Sequence, residues 1–135
     1  MKDFEQISIQ PGFMKHNNGL LFREVSKFEF EFKTTINENH LNRAGITHGG
    51  YIASIIDAGT GTGVHRITDN KSVFVTISLD IKFIGSTKLG DKIIGYIKIQ
   101  KITNSLVFAI CDLKCNNKII ASASGVWKKT SNKFF

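Results

Sequence analysis

Prolines, cysteines and long apolar runs are scarce in this sequence, and each scarcity excludes a class of structure. The 135 residues include one proline and two cysteines, and no apolar run approaches the roughly 18 residues that cross a bilayer. A Pro/Ser-rich linker, an internal repeat and a low-complexity tract are also missing. We therefore predict one domain over residues 1–135, with residues 1–11 as its N-terminal lead-in, and no membrane span.

The two cysteines, Cys111 and Cys115, argue against a disulfide framework. On a strand they would lie about 13 Å apart, which is too far for a disulfide bond. The four histidines complete no metal-ligand pattern with them, so no metal site is predicted. The segment Met1 to Glu5 lacks the apolar stretch of a signal peptide. We expect reduced thiols and a cytoplasmic protein.

Acidic residues are few, and 18 Lys and Arg against 11 Asp and Glu give a net charge of +7. A solvated, Lys-rich surface and attraction of an anionic ligand both fit this excess. The basic residues are spread along the chain, and no zinc finger, aromatic RNP-type run or basic heptad region accompanies them. The charge therefore favours a small polyphosphate ligand over a nucleic-acid duplex.

The chemistry-bearing stretch is residues 42–50, Asn-Arg-Ala-Gly-Ile-Thr-His-Gly-Gly, which leads into a mostly apolar segment. Helix N-termini carry unpaired N–H groups and a partial positive charge, and glycines there let a ligand oxygen approach the backbone. Asp57 is a carboxylate within the helix that follows. Together these features predict a site that polarises a carbonyl and activates a water molecule.

The spacing between the two features predicts a second copy of the chain. Asp57 lies eight residues beyond Gly49, which is about 12 Å along one helix. A general base must lie within about 3 Å of the proton that it removes, or one water molecule further. Asp57 therefore does not reach a carbonyl bound at Gly49 of its own chain, and a shared site requires a partner subunit.

Hydrophobic periodicity predicts one helix and a set of strands, an α+β arrangement with the strands curled around the helix. The helix is predicted over residues 50–64. Its three glycines, Gly59, Gly61 and Gly63, indicate either close wrapping of the helix or a loop that begins near Gly59. Alternating apolar and polar residues predict strands that form an antiparallel meander of about five, over residues 25–36, 73–84, 92–102, 106–115 and 118–128.

These residues resemble the hotdog-fold acyl-CoA thioesterases, specifically the PaaI-like group, over about residues 12 to 129. The resemblance implies a long central helix wrapped by an antiparallel sheet of five to six strands. It also implies a homodimer with two sites at the subunit interface, or a dimer of such dimers. The matching motifs are Asn42-x-x-Gly45-x-x-His48-Gly49-Gly50, then Asp57, Val75 to Phe83, Leu89-Gly90-Asp91 and Ala121 to Gly125.

The resemblance implies a thioester hydrolase that converts an acyl-CoA, with an acyl or aryl-acyl group, to free acid and CoA without a cofactor. The Gly49 N–H would bind the thioester carbonyl, and Asn42 would hold that carbonyl or the attacking water. Asp57 of the partner subunit would be general base or nucleophile, Thr76 would orient the water, and His48 would have a supporting role. The substrate-binding candidates are Gly50 and, for the CoA phosphates, Lys88, Arg66 and Lys128.

Alternatives stay open for the protein and for each residue. The same scaffold could be a non-catalytic acyl-CoA binding or sensing domain. A dehydratase would need a differently placed acid and histidine, which the surroundings of His40 and His65 do not provide. Asp57 could be a paired structural acid, His48 a helix cap, Asn42 a loop residue that bonds its own backbone, and Thr76 an ordinary strand residue. The acyl group, and CoA against acyl carrier protein, are not specified by these residues.

Overall fold

The computed structural model describes residues 1–131, in which one long helix packs against a seven-stranded antiparallel sheet. The sheet order is β1-β2-β3-β5-β6-β7-β4. The predicted helix wrapped by an antiparallel sheet is confirmed, with one or two more strands than expected. The elements are β1 Glu5–Gln6, α1 Phe13–His16, β2 Leu21–Ser26, β3 Glu29–Thr35, a short 3-10 helix Glu38–His40, α2 Gly49–Arg66, β4 Val73–Phe83, β5 Lys92–Ile102, β6 Leu106–Cys115 and β7 Lys118–Thr130.

Aromatic rings of β3 lie directly on the backbone of α2, which explains the helix glycines. A Cβ atom added at Gly59 would lie 2.3 Å from the Phe32 ring, and one at Gly63 would lie 2.9 Å from the Phe30 ring. Both phenylalanines are buried. The alternative of a loop beginning near Gly59 was wrong, because α2 continues to Arg66 and the glycines mark close wrapping.

The single strand predicted over residues 25–36 was wrong. The chain forms a hairpin there, with β2 paired to β3 and a turn at Lys27 and Phe28. This turn contains no Gly, Asn or Pro, the residues that usually mark a hairpin. Phe28 is therefore exposed at the turn, although it continues the alternation of apolar residues. The hairpin and the short β1 account for the extra strands.

The prediction that β4 lies in the meander next to β3 and β5 was wrong. Strand β4 is an edge strand that pairs only with β7, while β3 pairs with β5. The connection over residues 84–91 is long enough to carry the chain to the other side of the sheet. This topology leaves one side of β4 without a partner strand within residues 1–131.

A bulge at Ile77 breaks the period-two pattern of β4. Thr76 pairs with Trp127 and Ser78 with Val126, so Ile77 is an extra residue opposite no partner on β7. Strict alternation would put Thr76 and Leu79 on opposite faces. Because of the bulge, both face α2, where they line one depression together.

The two cysteines are free thiols, as predicted, and the structure puts them in different surroundings. Cys111 is buried in the core and Cys115 is partly exposed. Burial raises the pKa of the Cys111 thiol to about 12, and burial is also the main cause that raises the pKa of Cys115. Both thiols are therefore protonated at neutral pH, and they differ in how easily a reagent from solvent reaches them.

We expect a maleimide to label Cys115 of the folded protein at least about tenfold faster than Cys111, because the reagent must reach a thiolate. Mass spectrometry of a labelling time course measures both rates. The Cys115→Ser variant should lose the fast phase, and labelling in denaturant should make both thiols reactive. Fast labelling of Cys111 in the native Cys115→Ser protein would contradict the buried position of its thiol.

Candidate active site

The N-terminus of α2 presents one backbone N–H without a protein acceptor. His48 is the N-cap, and its Nδ1 accepts a hydrogen bond from the Gly50 N–H at 2.7 Å. The Tyr51 and Ile52 N–H groups bond to the His48 carbonyl. Within residues 1–131, nothing accepts a hydrogen bond from the Gly49 N–H. This donor lies at the positive end of the helix, where it suits a ligand oxygen.

His48 therefore takes the capping role that was one of its two alternatives. Its imidazole accepts the hydrogen bond of the Gly50 N–H, and a Cβ atom added at Gly50 would lie 2.9 Å from His48 Nδ1. Gly50 is thus needed for the capping position of the ring rather than as a second donor. The cap leaves the Gly49 N–H as the remaining donor at the helix tip.

Asp57, in the middle of α2, and Thr76, on β4, form a carboxylate–hydroxyl pair. The Thr76 hydroxyl donates a 2.7 Å hydrogen bond to Asp57 Oδ1, and both residues are exposed in the single chain. They line a surface depression of about 310 Å³ with Ala53, Ser54 and Leu79. The bond engages one carboxylate oxygen, and the other can accept a hydrogen bond from a water molecule or a ligand.

The donor and the carboxylate are on one continuous helix, and a single chain does not bring them together. Eight residues separate Gly49 from Asp57 within α2, a rise of about 12 Å. The Phe83 ring is what lies beside Gly49, 3.5 Å from the position of a Cβ atom there. The site predicted from the sequence is therefore divided into two halves within one chain.

Asn42 uses its side-chain oxygen within its own loop. Asn42 Oδ1 accepts hydrogen bonds from the Ala44 N–H at 2.9 Å and the Ile46 N–H at 3.3 Å. The loop role considered for Asn42 is thus present in the structure. The amide nitrogen makes no hydrogen bond to the described residues, so only that end of the side chain is available to a substrate oxygen or a water molecule.

The three basic candidates lie in different places. Lys88 follows Thr87, whose carbonyl accepts a 2.8 Å hydrogen bond from the Thr47 N–H, so Lys88 is close to the loop before the helix tip. Arg66 lies at the far end of α2, in an ion pair with Glu5 at 2.8 Å. Lys128 is exposed on β7, opposite Val75 of the edge strand. Only Lys88 is near the Gly49 of its own chain.

Three residues around the two halves were not predicted from the sequence: Ser54, Leu79 and Phe83. Strict alternation along β4 predicts that Leu79 and Thr76 lie on opposite faces of the strand. No sequence signal marked the bulge that puts them on the same face. The Ser54 hydroxyl donates a 2.7 Å hydrogen bond to the Gly50 carbonyl, an ordinary contact within a helix.

Residues 1–131 contain no cluster of His, Cys, Asp and Glu that would hold a metal ion. No helix in this range is long and apolar enough to span a membrane.

One long helix wrapped by an antiparallel sheet, with a donor at the helix tip and a helix carboxylate bonded to a hydroxyl of the sheet, defines the class of hotdog thioesterases. The family model for the thioesterase superfamily matches residues 44–119, which is more than half of the chain. The chain therefore belongs to the thioesterase superfamily. This membership supports thioester hydrolysis as the class of reaction.

Known proteins agree with this assignment. Mouse acyl-coenzyme A thioesterase 13 is 31% identical over 88 residues, which cover 64% of this chain and 62% of the mouse protein. The crystal structure of zebrafish thioesterase superfamily member 2 superposes with a TM-score of 0.82, at 22% identity over 91% of this chain and 90% of that one. A hypothetical thioesterase from Streptococcus pneumoniae, crystallised with coenzyme A, gives a TM-score of 0.78 at 17% identity, covering 86% and 89%. At these identities the two structures establish the shared fold.

Proposed function

We propose that this protein hydrolyses acyl-CoA thioesters to free acid and CoA as a homodimer with two sites, each built from two subunits. The observation that carries the proposal is the division of the site on α2. The unpaired Gly49 N–H and the Asp57 carboxylate, which accepts a hydrogen bond from Thr76 of β4, lie on one helix about 12 Å apart. This separation is too large for both groups to act on one thioester carbonyl. The proposed domain is residues 1–135, of which residues 132–135 lie outside the described part. We propose a cytoplasmic location, in keeping with the two free thiols.

Each group would have a defined part in the hydrolysis. The Gly49 N–H would donate to the thioester carbonyl oxygen and stabilise the negative charge that develops there. Asp57 of the partner subunit would take a proton from water as the water oxygen attacks the carbonyl carbon, or would attack that carbon itself. Thr76 would hold the carboxylate in place. The C–S bond then breaks, and CoA leaves as a thiolate that takes up a proton. If Asp57 is the nucleophile, water then hydrolyses the acyl–aspartyl anhydride, which releases the free acid and restores the carboxylate.

The edge strand β4 supports the two-subunit arrangement. Among residues 1–131 it has no partner strand on one side, and it exposes apolar residues, with Ile77 54% and Phe83 58% accessible. An unpaired, apolar edge is a surface on which a second chain adds strand pairing and buries hydrophobic area. Pairing β4 with β4 of a second copy about a two-fold axis would produce a single sheet that crosses the dimer.

Because β4 runs antiparallel to α2, a dimer formed through β4 would bring the two halves of the site together. Phe74, at the start of β4, contacts His65 near the end of α2, and Phe83, at the end of β4, lies beside Gly49. Strand and helix are therefore antiparallel, so antiparallel pairing of the two β4 strands would also make the two α2 helices antiparallel. A two-fold axis level with Ala53, midway between Gly49 and Asp57, would bring each Gly49 level with the other subunit's Asp57.

CoA is the proposed thiol carrier. The net charge of +7 favours a polyphosphate ligand, and the structural neighbour from Streptococcus pneumoniae was crystallised with coenzyme A. Lys88, close to the helix tip, is the first candidate for its phosphates, with Arg66 and Lys128 as further candidates. Gly50 would contribute by keeping His48 in its capping position.

The direct test is a thiol-release assay with the wild-type protein across acyl-CoA thioesters of different chain length, with a phenylacetyl thioester included. We expect release of free CoA that is linear in enzyme and selective for one part of the panel. The same acyl groups on acyl carrier protein show which carrier is preferred. Tight acyl-CoA binding by calorimetry with no CoA release would reject hydrolysis and favour a binding or sensing domain.

We predict that Ile77→Lys converts the dimer to a monomer and abolishes turnover, because a lysine on an edge strand disfavours strand pairing. Size-exclusion chromatography with light scattering measures the mass, and the thiol-release assay measures activity. Phe28→Lys is the matched control, since Phe28 is also exposed and apolar but lies at the β2–β3 turn. A fully active Ile77→Lys monomer would disprove the two-subunit site.

A further inference from the structure

His40 is a buried histidine with both ring nitrogens bonded to the backbone. Only 1% of its surface is exposed. Its Nδ1 accepts a 3.0 Å hydrogen bond from the Asn37 N–H, and its Nε2 lies 2.9 Å from the Asn17 carbonyl oxygen. Because a carbonyl oxygen only accepts, Nε2 must carry the proton. The two partners therefore select one neutral tautomer, and they join the segment after α1 to the short helix Glu38–His40.

The same residue contacts both sides of the Gly49 donor. The His40 carbonyl accepts a 2.8 Å hydrogen bond from the N–H of His48, the N-cap of α2. Its ring stacks on the Tyr51 ring with centroids 3.7 Å apart and an angle of 11° between the planes. The Tyr51 hydroxyl in turn lies 3.1 Å from Thr34 Oγ1 on β3. The start of α2 is thus held by His40 through two contacts, one made by its backbone carbonyl and one by its ring.

We infer that His40 is the positioning residue that orients the carbonyl-binding N–H of Gly49, an inference that rests on the proposed function. The direction of this N–H is set by the peptide between His48 and Gly49. His40 holds the N–H of His48 on one side and Tyr51 on the other, and the bond from Asn37 holds His40 itself. His40 touches no substrate, because it is enclosed between the helix start and the Asn17 segment.

A purely space-filling role does not account for this histidine. Burying a polar ring is unfavourable unless its nitrogens are bonded, and an aliphatic residue would fill the space without that requirement. The two ring hydrogen bonds fix His40 itself, and its other two contacts lead to the N–H of His48 and to Tyr51 in the first turn of α2. Since misplacing a catalytic group by about 1 Å lowers a rate about 100-fold, fixing this turn has a direct effect on turnover.

The first test is His40→Phe, which keeps a ring for stacking on Tyr51 and removes both ring hydrogen bonds. We expect kcat to fall at least about tenfold while KM for the acyl-CoA changes less than about twofold, because the carbonyl oxygen is stabilised less well in the transition state. His40→Gln restores a donor toward Asn17, and His40→Asn restores an acceptor for the Asn37 N–H. We expect His40→Asn to recover more of the lost kcat, because the Asn37 bond is the one that fixes the His40 backbone.

Val107→Ala is the stability control, since it removes volume from the core on β6, away from the start of α2. We expect Val107→Ala to lower the melting temperature and leave kcat unchanged at temperatures where it is folded. If His40→Phe does not fold, Tyr51→Leu removes the stacking partner and Tyr51→Phe keeps it. Tyr51→Leu should then lose kcat in the same way, and Tyr51→Phe should not.

The outcomes separate this inference from the proposed function. If the wild type releases no CoA from any thioester, the proposed function fails. If the wild type is active and folded His40→Phe, or Tyr51→Leu in its place, keeps its kcat, the positioning role alone fails. A parallel loss of kcat and melting temperature in the His40 and Val107 variants would also overturn it, because stability would then explain both. A selective loss of kcat with partial recovery in His40→Asn supports it.

Discussion

Replacing Asp57 with asparagine is expected to lower kcat at least about 100-fold, the size of effect that follows from losing a general base. Asparagine keeps the shape of the side chain and can still accept the Thr76 hydrogen bond, so the fold and the dimer should persist. The thiol-release assay on the preferred acyl-CoA measures kcat and KM. We expect KM to stay within a fewfold of the wild type, because the carboxylate acts on water.

The control for this variant is Asp69→Asn. Asp69 is an exposed carboxylate in the turn after α2, with a positive φ of 53° that asparagine also adopts readily. Removing its charge changes the net charge by the same amount and should leave turnover unchanged. Near-normal kcat in a dimeric Asp57→Asn protein would reject the catalytic role of Asp57.

A second variant, Gly49→Pro, is needed to test whether each site is built from two chains. Gly49→Pro removes the N–H donor at the first position of the helix, where proline is well tolerated, and the extended backbone of His48 is compatible with a following proline. By itself it should lower kcat about 100-fold or more, as for loss of an oxyanion-hole donor. Its fold is checked by circular dichroism and its mass by light scattering.

Mixed dimers of the two variants then test whether each site uses two chains. A heterodimer of one Gly49→Pro chain and one Asp57→Asn chain, isolated with two different affinity tags, contains one site with both wild-type groups. We expect it to recover about half of the wild-type turnover, because one of the two symmetry-related sites is intact. If both groups acted within one chain, every site in this heterodimer would be defective, and activity would stay at the level of the parent variants.

The largest expected effect on stability is that of Gly59→Ala. The added methyl group would lie 2.3 Å from the Phe32 ring, and this ring also packs directly on Gly95 of β5, where a Cβ would lie 2.2 Å away. The buried Phe32 ring is therefore packed tightly against both α2 and β5. Overpacking of this kind lowers the free energy of unfolding by about 1–3 kcal/mol or more, which outweighs the gain of about 1 kcal/mol in helix propensity.

Gly61→Ala is the same substitution two residues further along the helix, and it should have the opposite sign. A Cβ at Gly61 would lie 3.5 Å from the Trp127 ring nitrogen, an ordinary contact, so helix propensity dominates and stability should rise by up to about 1 kcal/mol. Urea denaturation of both variants and the wild type measures the difference. Equal effects of the two substitutions would contradict the close packing of Phe32 on α2.

The parts of the fold that could be predicted are those in which local periodicity and turn chemistry agree. Strands β5 and β6 follow the predicted ranges, and the Asn116-Asn117 turn has the positive φ values that such a pair favours. The hairpin at Lys27 and Phe28 was missed because its turn residues have no special conformational preference. The place of β4 at the edge was missed because strand order depends on long-range pairing, which local patterns do not report.

The separation of Gly49 from Asp57 could be predicted from the sequence, because the rise per residue is the same in every α-helix. Gly49 and Asp57 do lie on one continuous helix, as that prediction required. The occupation of the Asn42 oxygen by its own loop was one of two alternatives, and only coordinates distinguish them. The contact between Thr76 and Asp57 was expected from resemblance alone, since strict alternation on β4 did not lead to it.

The bulge at Ile77 also determines which kinds of genetic change this strand tolerates. If Ile77 were instead paired in a regular ladder, Thr76 could no longer face the helix together with Leu79, Ile81 and Phe83. Deleting Ile77 would remove the extra residue and leave these side chains on one face, whereas deleting a residue between Leu79 and Phe83 would turn the end of the strand over. Over evolutionary time, the number of residues between Leu79 and Phe83 should be kept more strictly than their identity.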